Sequence, residues 1–198
     1  SSWTAVWSTG QAIEACAIDM TGRATAFRTL TPASSRPVDH PDIGALPEGM
    51  FLAVWEEFGE TGLTALKARS LRSDGSDGEE FLLAASPDQD LLRPSVNQDG
   101  SRSFVAWEKP FDARRVDIEG RLVSPAAASA EDAGDIVLIA SDNARNTLPS
   151  VAAVPGSDAF VVVWQRSEGR RASDISYATV TGRGVETSGK LTDSPEVR

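Results

Sequence analysis

Apolar runs ending in tryptophan recur along the chain: Trp3 to Trp7 reads WTAVW, Met50 to Trp55 MFLAVW, Ser103 to Trp107 SFVAW and Phe160 to Trp164 FVVVW. Uninterrupted β-branched and aromatic runs of this length predict strands buried on both faces rather than half-wetted ones. The spacing around them repeats too. Pro41-Asp42-Ile43, Pro94-Ser95-Val96 and Pro149-Ser150-Val151 precede three of the tryptophans. Apolar residues follow Trp55, Trp107 and Trp164 at Leu66, Ile118 and Ile175, and again at Leu71, Val123 and Val180; the first unit keeps the step as Ile13 and Ile18. A further apolar run closes each unit, clearest in Phe81-Leu82-Leu83 and Ile136-Val137-Leu138-Ile139. No window shows a convincing 3.6-residue period.

Each unit therefore reads as four antiparallel strands, and the expected units are about 1–36, 37–90, 91–145 and 146–198. A lone sheet of this kind carries two apolar faces and is stable only when stacked on neighbours, as in the blades of a propeller. The predicted fold class is all-β: a β-propeller segment of about four blades, with the tryptophans between blades and the first strand of the first blade missing. Aligning Trp7 with Trp164 puts Ser1 opposite Asp158, at a hairpin tip, which leaves fifteen strands. From this follows the expectation that another chain, a second fragment or a second copy, completes the propeller and that the protein is not an isolated monomer.

The segment Pro94 to Trp107 (PSVNQDGSRSFVAW) resembles the blade signature of TolB-type propellers, and PSVAAV, FVVVW and DISYATV are similar to tandem repeats of large secreted bacterial proteins. The resemblance spans essentially the whole chain. It implies a propeller fold and a secreted, periplasmic or surface location, and it leaves function open, since this fold serves enzymes, lectins and scaffolds.

Composition removes some function classes. With 29 acidic against 19 basic residues the net charge is −10, which repels phosphate backbones and anionic lipid, so neither nucleic acid nor membrane insertion is expected. No apolar run approaches the roughly 20 residues of a membrane span. The single Cys16 lies in a predicted strand and reads as a buried filler.

Enzyme signatures are sparse. There is no nucleophile elbow, HExxH, CxxC, Walker loop or second histidine. The Asp-box of sialidase-like propellers is not met, because Asp99-Gly100 is followed by Ser101-Arg102-Ser103 without an aromatic. Arg72 to Glu80 faintly resembles a calcium loop through Asp74, Asp77 and Glu79, but it lacks EF-hand spacing and reads as a solvated hairpin. No metal or cofactor is expected.

In a four-stranded blade, the connectors between blades and the loops between strands two and three emerge on one face, where binding groups sit over a rigid scaffold. That face is expected to carry Arg36, Asp39 and His40, then Glu57, Arg93, Asp112 and Arg115, then Asn143, Arg145 and Arg170. The reading at this level is a noncatalytic binding or scaffold module, with glycan as a candidate ligand. The alternatives are a glycoside hydrolase or lyase using loop carboxylates and a structural subunit of an assembly.

Overall fold

The computed structural model describes residues 3–31, 36–46, 49–72, 76–124, 129–169 and 173–193. Its strands are β1 (Trp3–Ser8), β2 (Ile13–Ile18), β3 (Ala24–Thr29), β4 (Val38–Leu46), β5 (Met50–Phe58), β6 (Thr64–Arg72), β7 (Phe81–Ala84) and β8 (Leu92–Gln98). They continue as β9 (Ser103–Pro110), β10 (Val116–Val123), β11 (Val137–Ala140), β12 (Arg145–Ala153), β13 (Phe160–Ser167), β14 (Asp174–Thr181) and β15 (Gly184–Lys190). Among the described residues the fifteen predicted strands are present.

They form antiparallel meanders in chain order: β1-β2-β3, β4-β5-β6-β7, β8-β9-β10-β11 and β12-β13-β14-β15. The first has three strands and β1 lies at its edge. The last two meanders are joined by one parallel pairing, Val116 with Arg145, so by hydrogen bonding they make a single eight-stranded sheet. The cause is local: the Val116 amide donates to Ala144 O at 3.2 Å, pulling the start of β12 against the edge of β10. Arg145 accordingly opens β12.

Successive sheets stack face to face, with β4 against β8 and β8 against β12, the arrangement of propeller blades. Three apolar clusters fill the seams. Trp55 packs with Ile13, Leu30 and Ala53 between the first and second blades. Trp107 packs with Leu52, Val54 and Leu83 between the second and third. Trp164 packs with Phe104, Ile118 and Phe160 between the third and fourth. These tryptophans are 0%, 0% and 5% exposed, whereas Trp3 is 70% exposed. Cys16 is buried, as its strand position implies.

Burial on both faces holds for β5 and β9 but not for β13, whose residues alternate between buried and half-exposed. Phe160, Val162 and Trp164 face the third blade. Among the described residues nothing comparable covers Val161 and Val163. The stretch from Ser124 to Ala133 also differs from a purely exposed loop, because Ala130–Asp132 forms a 3-10 turn and Ala133 packs on the core and bridges Val123.

Two polar devices recur at the seams. At the outer edge, Arg121 donates to Leu83 O of the preceding blade (2.7 Å) and to Gly134 O of its own (2.8 Å). Arg69, at the equivalent place in β6, donates to Leu30 O and to Gly78 O. A guanidinium fork suits two diverging carbonyls of outer strands that do not pair with each other. Burial pushes the Arg121 pKa down from its ordinary value, with Asp135 opposing. The inner device shapes the site.

Candidate functional site

Each complete blade opens with an inner strand that breaks register at the same place: between Asp39 and Asp42 in β4, Leu92 and Ser95 in β8, and Thr147 and Ser150 in β12. The residue before proline adopts a left-handed backbone there, with φ of 46° at His40, 50° at Arg93 and 57° at Leu148. For non-glycine residues such a conformation costs about 1–3 kcal/mol and is held only by surrounding contacts. Proline suits the following position because it has no amide to leave unpaired where the ladder breaks. Bulges re-aim side chains, and here they turn His40, Arg93 and Leu148 toward the end of the sheets where connectors and loops between strands two and three emerge.

The freed amides are caught across the seams. Arg93 N donates to Glu56 Oε1 at 2.5 Å, and Leu148 N donates to Glu108 Oε1 at 2.8 Å. Glu56 and Glu108 each directly follow the repeat tryptophan, at the end of β5 and β9. A second pair of contacts lies deeper: Val96 N to Asp42 Oδ2 (2.8 Å) and Val151 N to Ser95 Oγ (3.3 Å). At the first seam the residue after tryptophan is Ser8, whose Oγ donates to Val38 O at 2.7 Å, and the His40 amide turns instead to Asp39 Oδ1. Glu57, expected on a loop, is a buried strand residue, as are Glu56 and Glu108.

Two clefts open beside these bulges. One, of about 290 Å³, is lined by Pro37, Val38, Asp39, Glu56, Phe58 and Thr64. His40 Nδ1 lies 3.1 Å from Glu56 Oε1 and 3.7 Å from Asp39 Oδ2. The other, of about 300 Å³, is lined by Arg93, Arg145, Thr147, Leu148, Gln165 and Ser167. Arg93 Nη1 reaches both oxygens of Glu108 at 3.2 Å.

Arg145 stands between Ala144 and Asn146, both buried. Asn146 Nδ2 donates to Val116 O (3.1 Å) and Asp142 Oδ1 (3.0 Å), while its Oδ1 accepts from Trp164 Nε1 at 2.9 Å. Asp142 also accepts from Arg166 Nε at 2.9 Å. Burial pushes the Asp142 pKa up, but the Asn146 and Arg166 donors outweigh it and hold the carboxyl below its usual range. The connector beneath Arg145 is consequently well anchored.

Of the residues expected on the loop face, Arg93 and Arg145 meet in one cleft, and Asp39 lines the other with His40 against its Glu56. Arg36 and Glu57 form a charge cluster on blade two, with Arg36 Nη1 and Lys67 Nζ each 3.8 Å from Glu57 and Arg36 also paired with Glu60. Asp112 and Arg115 belong to neither cleft. Asp112 accepts the amides of Arg114 and Arg115 and closes the turn after β9, which lowers its pKa. Arg115 is bidentate on Asp117 and lies over the Phe111 ring. Asn143 is exposed on the connector outside both clefts. Arg170 lies outside the described residues, as does Asp74 of the acidic hairpin, whose Asp77 is engaged by Arg28 and by the Arg72 amide. Among the described residues no group of three or more His, Cys, Asp or Glu side chains is gathered as a metal site. No helix there is long and apolar enough to cross a membrane.

Reasoning from loop position leaves out Glu108, Thr147, Leu148 and Gln165. The repeat itself carries part of the signal: Glu56, Glu108 and Gln165 each directly follow the repeat tryptophan, and Leu148 directly precedes the repeat proline.

No known protein family and no curated protein matches this sequence. Solved structures do. The chain is similar to the α-L-arabinofuranosidase Arb93A of Fusarium graminearum (TM-score 0.68, 11% identity, 98% of this chain and 65% of that one). It is similar also to an α-L-arabinanase of Penicillium chrysogenum (TM-score 0.66, 12% identity, 99% and 66%). A third is the endo-arabinanase of Bacillus licheniformis (TM-score 0.56, 14% identity, 98% and 77%). The chain has the fold of part of a propeller glycosidase. It spans just under two thirds of the length of the first two structures.

Proposed function

We propose that this chain is part of a carbohydrate-active propeller that binds a glycan at the inner rim of its loop face. The observation that carries the reading is the repeated bulge, which aims one side chain per blade at that rim beside two clefts. The polar lining suits sugar hydroxyls: Thr147, Gln165 and Ser167 offer donors and acceptors, and Leu148 offers an apolar edge. The likeness in fold to arabinofuranosidases and arabinanases supports a saccharide over other small ligands.

Hydrolysis is a second reading, favoured by Glu56. Its Oε1 is occupied by the Arg93 amide and His40, whereas Oε2 has no hydrogen-bond partner among the described residues and the side chain lines a cleft with Asp39. A pair of carboxyl groups is what glycoside cleavage requires. Glu108 is a poor candidate, since both oxygens are committed to Arg93 and one also to the Leu148 amide.

Titration calorimetry against arabinan- and pectin-derived oligosaccharides, with reducing-end release measured in parallel, tests both readings. Binding that weakens in Gln165→Ala is expected, and release abolished by Glu56→Gln would establish the hydrolytic reading. Absence of binding to every oligosaccharide, or binding indifferent to Gln165, overturns the site.

A further inference from the structure

We infer that the cleft between the third and fourth blades selects an acidic glycan, one whose sugars carry a carboxylate such as a uronic acid. The inference rests on the glycan-binding reading above and names its substrate class. Two arginines line this cleft and no acidic residue does. Glu108, below it, is 3% exposed and neutralises Arg93 through Nη1 alone, leaving Nε and Nη2 of Arg93 without a partner among the described residues. Arg145 makes no side-chain hydrogen bond or ion pair among the described residues, although the chain as a whole carries a net charge of −10.

Position adds to composition. Arg145 pairs across the strands with Ser167, and Thr147 with Gln165, so a cation, two hydroxyls and an amide stand on alternate rungs of β12 and β13, on one face of the sheet, with the Asn146–Arg166 rung between them. The buried neighbours Ala144 and Asn146 fix the Arg145 backbone, and the left-handed Leu148 places an exposed apolar side chain in the same cleft. A guanidinium fork matches a carboxylate through two parallel N–H···O bonds. The hydroxyl and amide groups then meet ring hydroxyls, and Leu148 meets the C–H face of the sugar. A neutral pentose would fill the same space and leave the Arg145 fork unanswered.

The test is calorimetric titration of the 198-residue chain with galacturonate oligomers, neutral arabinose oligomers of equal length and inorganic phosphate, repeated on Arg145→Gln and Arg145→Lys. Because Arg145 is exposed, both variants are expected to melt with the parent, and a circular-dichroism melt checks this. Galacturonate is expected to bind more tightly than the neutral oligomer, with affinity falling about tenfold or more in Arg145→Gln and partly restored in Arg145→Lys. Equal affinity for both oligomers overturns the acidic-glycan inference and leaves the glycan site standing. Phosphate binding as tight as galacturonate makes the cleft a general anion site and also overturns it. Failure of every oligosaccharide to bind overturns the glycan reading itself.

Discussion

The backbone amide of Leu148 lies 2.8 Å from Glu108 Oε1, so a residue opening the fourth blade is held by a carboxylate closing the central strand of the third. Glu56 and the Arg93 amide repeat the relationship one seam earlier. A buried, ionisable side chain thereby replaces the backbone ladder that inner strands of neighbouring blades do not form. The cost of two left-handed residues is offset by contacts that also aim their side chains.

Removing that acceptor is expected to be expensive. Glu108→Ala removes the acceptor of the half-buried Leu148 amide and the partner of Arg93, and should lower stability by about 1–3 kcal/mol. Glu108→Gln keeps an oxygen there and should lose less. Urea unfolding with unchanged slope measures both; a neutral Glu108→Ala would mean the amide finds water instead.

The seam tryptophans are expected to behave as core. Trp164→Ala should cost about 3–5 kcal/mol. Acrylamide quenching of single-tryptophan variants should leave Trp55, Trp107 and Trp164 protected and Trp3 quenched, following their burial. Efficient quenching of Trp107 would contradict the stacking of the second and third blades.

Gly120 sits in β10 where a Cβ would come 2.6 Å from Phe104 Cε1 and 2.7 Å from Val105 O. The backbone oxygen cannot give way as a side chain can. Gly120→Ala is therefore expected to destabilise by about 1–3 kcal/mol through overpacking, read as a lower denaturation midpoint.

Acid stability should depend on Asp99 in the turn before β9. Burial raises its pKa, but the amides of Ser101 and Arg102 and the side chains of both outweigh that and hold the carboxyl at about 2. A depressed folded pKa contributes stability above the unfolded value and loses it as pH falls, so the loss should run from about pH 4 to about pH 2. Asp99→Asn should be less stable than the parent at neutral pH, with the difference narrowing through that window. An undiminished difference at pH 2 would rule out titration of this group.

The repeat of tryptophan, proline and apolar spacing determined the strand count, the blade order and the burial of Trp55, Trp107 and Trp164, because β-strand burial is a local pattern of side chains two residues apart. What only the tertiary structure decided is which charges are solvated. Glu56 and Glu108 look like the first residues of loops, yet each lies opposite a bulge amide supplied by a blade some 40 residues further on. Asp112 and Arg115 look equally available but are spent on their own turn and strand. A carboxylate's role depends on the donor across the seam, and that donor comes from backbone geometry in another repeat, which no local pattern encodes.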